Sequence, residues 1–373
     1  MSGVRIPDVS LNRNEKSETP IKSSVSGFFD LMKNTKVVIM DNARIDYFDI
    51  VKGIGILCVI AGHMGISPID SVVFTFHMPL FFLISGYFIS TKISFKDFCN
   101  KKFKQLLFPY IFTSICLILL KIPVNFVLGN SKNIPNEVLN TAIAAFYGSG
   151  SNNVKMPFGI EMIGAIWFLL ALLWALIIVK YAIKFKWSAG LILIIAIISY
   201  ISSQYIWLPL CIQAGGVASI FVYIGYLAKK KQLIEDKINW IVVVFGIICL
   251  IIEVKNDFVI AMVSNYYSHG IADIIGAVLI CYSLISISKL IDGNNIFKKF
   301  LCFLGKNSLM ILCFHLIELN NFPWTYIYDI FEYISIPKAF AYICVFAGKV
   351  MFSTVCIFVV MRIGFLKRIF GKE

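Results

Sequence analysis

Charged side chains are scarce in this chain. Only 15% of its 373 residues are Asp, Glu, Lys or Arg, whereas about 25% is usual in globular domains. Hydrophobic residues make up 59%, against roughly 45–50% in such domains. The low charge excludes a soluble globular protein, and the abundance of apolar residues excludes a disordered chain. The composition therefore predicts an integral membrane protein.

Several motifs are missing as well. No CxxC pair occurs among the ten cysteines, most of which lie in or beside apolar runs, so we interpret them as small core residues rather than a disulfide framework. No HExxH motif occurs, so no metal site is predicted. GxSxG, P-loop and GxGxxG motifs are absent too, which argues against a soluble-type serine hydrolase and a nucleotide-hydrolysing motor. Residues 1–36 lack the apolar core of a secretory signal, so the first membrane helix is expected to direct insertion.

Long apolar runs take the place of the missing charges. They are continuous, unlike the alternating strands of a membrane barrel, and therefore predict helices. Runs of about 17–25 residues predict about ten membrane helices. The predicted spans are 46–66, 71–91, 105–128, 162–180, 187–202, 210–228, 238–253, 271–291, 300–319 and 340–366. The predicted fold is an all-α integral membrane protein, with a polytopic domain over residues 44–373 and a basic, largely disordered cytoplasmic tail over residues 1–43.

Positive charges lie between alternate apolar runs. The net charge is +13, but the cations do not form the single patch that would indicate a nucleic-acid partner. The lysine-rich connections are residues 92–104, 180–186, 229–237 and 289–299. Because cations accumulate on the cytoplasmic side of a membrane, both termini are predicted to be cytoplasmic and the chain to lie in the cell inner membrane, surrounded by the lipid bilayer.

Two ionisable residues share one face of the first predicted span. Lys52 and His63 are eleven residues apart, which is three helical turns and roughly 16 Å along the axis. Lys52 lies near the cytoplasmic end and His63 near the outer end. Such residues cost roughly 2.5–3.5 kcal/mol at mid-membrane and are functional candidates by default. The alternative is that Lys52 extends to the headgroups and pairs with Asp49, while His63 makes a core hydrogen bond.

The other three histidines also map to the outer half of the predicted spans. His77 follows His63 through a short connection, although beside Pro79 it can equally be a helix cap. His315 lies near Glu318 in the ninth span, and His269 opens the eighth. Two or three of these imidazoles can therefore converge on one site.

The segment from Arg44 to Phe88, with its Lys-x10-His spacing and the phrase FHMPLFFLISGYF, resembles the membrane-bound acyltransferase-3 family, and most closely its fucose 4-O-acetylase-like branch. Three later segments extend the resemblance to about residue 320: KKFKQLLFPY ending at Tyr110, IWFL ending at Leu169, and LGKNS followed by His315. Two positions depart from the family pattern. Leu312 stands where the family has Tyr, and lysines stand before Pro109 where many members have arginines.

The resemblance implies transfer of an acyl group, usually acetyl from acetyl-CoA, to a hydroxyl of a glycan acceptor on the outer face. His63 is then the general base, since imidazole with its unperturbed pKa of about 6.5 suits that task. The residues expected to orient this base or to stabilise the oxyanion are His77, Ser85 and Tyr87. The residues expected to hold the CoA phosphates are Lys52, Lys101, Lys102 and Lys104.

The acceptor is expected to meet the outer side of the molecule. The residues implied for substrate binding are Trp167, His315 and Glu318, and the aromatic residues expected to stack on sugar rings are Phe146, Tyr147, Phe158 and Trp167. A transporter or flippase for a lipid-linked sugar is the alternative, because it would also show intramembrane charges and glycines. An inactive membrane scaffold is a third reading. The Lys-x10-His spacing followed by the HMPLFFLISGY phrase favours the enzyme.

Overall fold

The computed structural model describes residues 46–127, 129–152, 155–156, 159–234, 237–256, 258–291, 293 and 295–372. The predicted tail over residues 1–43 lies outside these described residues. Residues Ile45–Glu373 form one compact unit. Its described part is helical almost throughout, as the continuous apolar runs predict.

The helices follow one another with short connections. The first seven are α1 (Asp46–Ala61), α2 (Ser67–Val73), α3 (His77–Tyr87), α4 (Phe95–Val127), α5 (Ile134–Tyr147), α6 (Trp167–Ala182) and α7 (Ser188–Ser203). The next four are α8 (Ile212–Lys230), α9 (Trp240–Lys255), α10 (Ile271–Ser288) and α11 (Ile296–Lys306). The last four are α12 (Ser308–Asn321), α13 (Trp324–Tyr333), α14 (Lys338–Arg362) and α15 (Gly364–Ile369).

Short pieces of other structure join some of these helices. Strands β1 (Ile260–Ala261) and β2 (Tyr266–Tyr267) pair antiparallel, with Ile260 opposite Tyr267. The 3-10 turns are Ser131–Asn133, Pro209–Cys211 and Met262–Ser264.

The described helices include five segments that are long and apolar enough to cross a membrane. They are Ser67–Tyr87, Phe95–Val127, Pro209–Lys230, Ile271–Ser288 and Lys338–Arg362. The bent pair α11 and α12 adds a sixth if it is one span, and α6 and α7 are shorter apolar helices. The chain is thus an all-helical membrane protein with five or six candidate spans. The number of about ten and the cytoplasmic termini stay predictions.

Two predicted spans are broken in the structure. The span predicted over 71–91 consists of two helices, α2 and α3. Pro79 has no N–H to donate to the carbonyl of Thr75, so α3 does not extend toward its amino-terminal side as far as α2. The span predicted over 300–319 bends by 75° between α11 and α12. The bend is at Asn307, whose backbone leaves the helical conformation and whose side-chain amide donates to the carbonyl of Phe303 at 2.9 Å.

The carboxyl-terminal residues pack against this bend. Lys372 Nζ donates to the backbone carbonyl of Lys306 at 2.9 Å and to Asn307 Oδ1 at 3.2 Å. The Phe370 ring lies 6.0 Å from the Phe314 ring, centre to centre. These residues therefore satisfy a carbonyl that the bend exposes and pack beside the start of α12.

Two helices occupy segments where connections were predicted. Helix α5 lies within the long connection over residues 129–161, and α13 lies between the last two predicted spans. Helix α5 begins with Pro135 in its first turn and ends at Gly148, whose φ of 77° terminates it in the left-handed conformation. Both helices are shorter than a membrane crossing, so a search for spanning lengths misses them.

Close helix crossings fix the first helix of the site. A Cβ added at Gly53 would overlap the carbonyl oxygen of Leu301, and one added at Gly305 would overlap that of Asp49. Helices α1 and α11 therefore touch through their backbones. A similar pair, Gly86 on α3 and Gly225 on α8, allows those two helices to touch.

Candidate active site

Three of the four histidines come together at one end of α1 and α3. The rings of His63 and His315 lie 5.5 Å apart, centre to centre. The Phe74 ring contacts both His63 and His77. Its centre is 6.4 Å from that of the His63 ring and 5.1 Å from that of the His77 ring. His269 is placed differently, stacked on Phe258 at 3.7 Å.

His63 stands in the turn after α1 ends at Ala61, and its side chain is half-buried. Gly62 makes room for the next segment to pack beside it, since a Cβ there would lie 2.8 Å from Val73 Cγ2. His63 thus has one side against packed helices and one side accessible. That is the placement a base needs in order to meet a substrate.

His77 is buried, and its Nδ1 donates to the backbone carbonyl of Val73 at 2.6 Å. This bond crosses the break between α2 and α3. His77 therefore caps the end of α2, whereas the start of α3, which the sequence offered as its capping site, has no side-chain cap hydrogen bond. Its donor is committed to the backbone, so His77 acts on the site by fixing this break and through its ring contact with Phe74.

A buried polar network stands behind His315. Its Nδ1 donates to Glu318 Oε1 at 2.7 Å. Lys349 Nζ, from α14, lies 3.1 Å from Oε1 and 3.0 Å from Oε2 of the same carboxylate. Trp324 Nε1 also donates to Oε2, and Lys349 Nζ lies 4.5 Å from the centre of the Trp324 ring. The carboxylate is therefore held by His315 from its own helix, α12, and by one side chain from each of two other helices, Trp324 of α13 and Lys349 of α14.

Burial revises the part predicted for His315 and Glu318. Their exposed fractions are 0% and 3%, so neither side chain offers a surface to a bound acceptor. His315 Nε2 is buried and has no hydrogen-bond partner among the described residues. The ring of His63 lies beside that of His315. The structure therefore does not place His315 or Glu318 at a surface open to an acceptor.

Lys349 and Trp324 were missed by the sequence analysis. Lys349 is nevertheless the one charged residue between Lys338 and Arg362 in an otherwise apolar run. An ionisable residue in the middle of a span is a functional candidate by default, so the signal was present. Trp324 carries no comparable signal.

Lys52 forms an ion pair with Asp49, with 2.7 Å between Nζ and Oδ1. This is the pairing that the alternative reading of Lys52 predicts. The two residues lie in the first two turns of α1, at the end away from His63. Lys52 therefore lies near the beginning of α1, and His63 lies two residues beyond its end at Ala61.

The lysines predicted to join Lys52 lie on α4. Lys102 donates to Gln105 and lies 5.9 Å from the centre of the Phe98 ring, while Lys101 and Lys104 are exposed or nearly so. Helix α4 packs mainly on α5, α6 and α12, whereas α1 packs mainly on α11 and α3. The structure thus shows two separate groups of cations. It does not bring Lys52 into contact with the α4 lysines.

Ser85 and Tyr87 lie away from the histidines. Helix α3 runs from His77 to Tyr87, a rise of about 15 Å. The buried Tyr87 ring packs 4.4 Å from that of Phe48, in the first turn of α1 and thus at the opposite end from His63. The expectation that Ser85 and Tyr87 orient the base needs correction. Both residues lie at the end of α3 that is far from His77, and Tyr87 packs at the end of α1 that is far from His63.

The aromatic residues predicted to meet sugar differ in exposure. Trp167 opens α6 but is buried against Gly150, where a Cβ would lie 2.5 Å from its Cγ. Tyr147 is half-buried and donates to the carbonyl of Trp207 at 2.5 Å. Phe146 is exposed, and Phe158 lies outside the described residues. Among the three that the structure describes, Phe146 is therefore the one whose side chain is fully open to a ligand.

No group of three or more His, Cys, Asp and Glu side chains in the described part of the chain is arranged to hold a metal ion. His63 and His315 place two imidazoles side by side, and imidazole can transfer protons near neutral pH.

Comparison with known proteins gives a consistent picture. The pattern of the Acyl_transf_3 family, described as an acyltransferase domain, matches residues 45–362. Nodulation protein NolL of Sinorhizobium fredii (strain NBRC 101917 / NGR234) is 31% identical over 160 residues, which are 39% of this chain and 38% of that protein. Nodulation protein NolL of Mesorhizobium japonicum (strain LMG 29417 / CECT 9101 / MAFF 303099) is 29% identical over 154 residues, 37% of this chain and 36% of that protein. The match thus spans less than two fifths of either relative, and no solved structure matches the chain.

Proposed function

Because the chain belongs to the acyltransferase-3 family, we propose that it transfers an acyl group from cytoplasmic acyl-CoA to a hydroxyl of a glycan on the outer face of the membrane. The family match and the apolar helices make it a multi-pass membrane acyltransferase. The proposal adds acetyl-CoA as the donor, a cell-surface or lipid-linked glycan as the acceptor, and the cell inner membrane with both termini in the cytoplasm as the location.

The observation that carries the proposal is the half-buried His63 beside the buried His315. His63 takes the proton of the acceptor hydroxyl as that oxygen attacks the thioester carbonyl. The new C–O bond forms and the C–S bond breaks. The proton on His63 then passes to the departing thiolate, which leaves as CoA thiol and returns the imidazole to its neutral form.

The donor site is proposed at the lysine-rich end of the molecule. Lys52 and the lysines at positions 101, 102 and 104 would hold the CoA phosphates as point charges. The roughly 16 Å along α1 from Lys52 to His63 is a distance that the pantetheine arm has to bridge. The exposed Phe146 on α5 is the proposed contact for a sugar ring.

One feature favours the alternative of a lipid-linked sugar transporter. Transporters use interrupted helices at their substrate sites, and the α11–α12 pair is bent by 75°. Proton-coupled transporters also use intramembrane histidines and carboxylates, so the family match is what favours the acyltransferase. The two functions differ in what crosses the membrane, an acyl group or a sugar.

The experiment compares surface glycans from cells that carry the parent protein, the His63→Ala variant, the His269→Ala variant or none. The parent and His269→Ala should both add acyl groups that mass spectrometry detects, because His269 lies outside the histidine group. His63→Ala should lower the rate of transfer by about 10²–10⁴-fold, as expected for loss of a general base. Equal acylation by His63→Ala at equal membrane abundance would exclude His63, and sugar movement without acylation would favour the transporter.

A further inference from the structure

A buried ion pair stands behind the two histidines, and we propose that Glu318 and Lys349 are positioning residues that hold His315 in one tautomer, which in turn orients His63. This inference rests on the proposed function, because it assigns a role in proton transfer. It reassigns Glu318 from substrate binding and adds Lys349, a residue from a different helix.

Charge balance determines the protonation of His315. Glu318 accepts hydrogen bonds from His315 Nδ1, from Trp324 Nε1 and from Lys349 Nζ. Lys349 already neutralises the carboxylate, with only 2% of the lysine exposed. A second proton on His315 would add an uncompensated positive charge to a buried site, which is costly. His315 is therefore neutral, with its single proton on Nδ1.

The second ring nitrogen of His315 takes no part in the Glu318 network. With Nδ1 donating to Glu318, Nε2 is left as an acceptor, and it is buried without a hydrogen-bond partner among the described residues. The ring of His63 is 5.5 Å away, centre to centre. We infer that an N–H of His63 turns toward this nitrogen during the reaction, which requires the two nitrogens to approach to roughly 3 Å.

This contact would settle which nitrogen of His63 receives the proton. When one ring nitrogen of His63 donates to His315, the other is free to accept from the acceptor hydroxyl. The positive charge that His63 gains during transfer is then shared through the neutral His315 toward the Glu318 carboxylate. The order base, partner and carboxylate follows the same logic as a serine protease triad, in which the buried carboxylate orients the histidine.

A purely structural role for the pair predicts a different outcome. Replacing a buried ion pair by apolar residues of similar volume is often neutral or stabilising, whereas removing one partner is strongly destabilising. The double variant Glu318→Leu with Lys349→Met should therefore insert and fold. If the pair only joins α12 to α14, this variant keeps its activity. If the pair positions His315, activity falls although the fold is intact.

The experiment measures kcat, the KM for acetyl-CoA and the KM for the glycan on purified protein in lipid vesicles, with surface glycan from a strain lacking the protein as acceptor. Glu318→Gln, Lys349→Met and the Leu/Met double variant should each lose about 10²-fold in kcat, with the KM for acetyl-CoA within about twofold of the parent. Lys349→Arg should recover most of the loss, because it restores the charge. Glu253→Gln is the matched control, since Glu253 is also 2% exposed but lies on α9 outside the histidine group.

The outcomes separate this inference from the proposed function. If His63→Ala is inactive while the double variant keeps the parent kcat, Glu318 and Lys349 have no positioning role. The proposed acyl transfer with His63 as the base is then retained. If a variant raises the KM for the glycan at constant kcat, Glu318 binds substrate and the inference is wrong. Trp324→Phe removes one donor to Glu318 and leaves the ion pair, so it gives a milder kcat loss and provides the test if the other variants fail to accumulate.

Discussion

The backbone contact between α1 and α11 gives a direct prediction of stability. Gly53→Ala places a methyl group against the carbonyl oxygen of Leu301, an atom that cannot rotate away as a side chain would. Such overpacking costs about 3 kcal/mol at the upper end of the usual range, and alanine returns about 1 kcal/mol through its higher helix propensity. The net expectation is a loss of about 2 kcal/mol, equivalent to a drop of about 2–3 °C in Tm for a chain of 373 residues.

The matched control is Gly190→Ala on α7, where an added Cβ has no heavy atom within 4 Å. The same chemical change there should leave the Tm unchanged or raise it slightly, because only the propensity term remains. Thermal unfolding of both variants in one detergent, followed by loss of monodisperse protein, makes the comparison. Equal Tm values for the two variants would show that α1 and α11 do not touch through their backbones.

Three further predictions concern charge and sidedness. Lys52→Ala should weaken CoA binding, while Lys52→Arg should keep a large part of it, because the phosphates need a positive charge at this position. Titration of CoA against purified protein measures the affinity. Unchanged affinity in the alanine variant would leave Lys52 as the partner of Asp49 alone. Lys349→Met alone should cost about 3–5 kcal/mol of stability by leaving the charge of the Glu318 carboxylate without its cation, and the added Glu318→Leu should restore most of this loss. Chemical unfolding measures the stability of both variants. Additive losses would show that the two groups do not interact. Cysteines introduced at position 52 and at positions 66–70 should be labelled from opposite sides of sealed vesicles, with CoA protecting only the first; labelling of both from one side contradicts the proposed orientation.

The sequence was most informative about helices and least informative about contacts. Apolar runs located the main helices, and Pro79 was already visible as the cause of the α2–α3 break. Helices α5 and α13 were missed, because a criterion based on membrane-crossing length ignores shorter helices. Their starts and ends are nonetheless marked by ordinary signals such as Pro135 and Gly148.

The candidate site shows the same limit more sharply. The Lys-x10-His spacing identified His63, because it singled out two ionisable residues in one apolar run. The neighbour of His63 is His315, far along the chain, and only the packing of α12 against α1 brings them together. Tyr87 shows the converse error, because its place in the family phrase near His77 suggested proximity to the base, whereas α3 carries it to the other end of α1.

The packing of Lys372 on the bend at Asn307 has a practical consequence for enzymology. His315 follows Asn307 by eight residues, about 12 Å along α12, so the bend sets the direction from which this histidine approaches His63. A purification tag or fluorescent protein fused directly after this segment would disturb the hydrogen bonds of Lys372 with Lys306 and Asn307, and with them the contact that supports the orientation of α12. Kinetic work on this enzyme is therefore better served by labels in an exposed connection, such as the segment around Gly129, than by a carboxyl-terminal fusion.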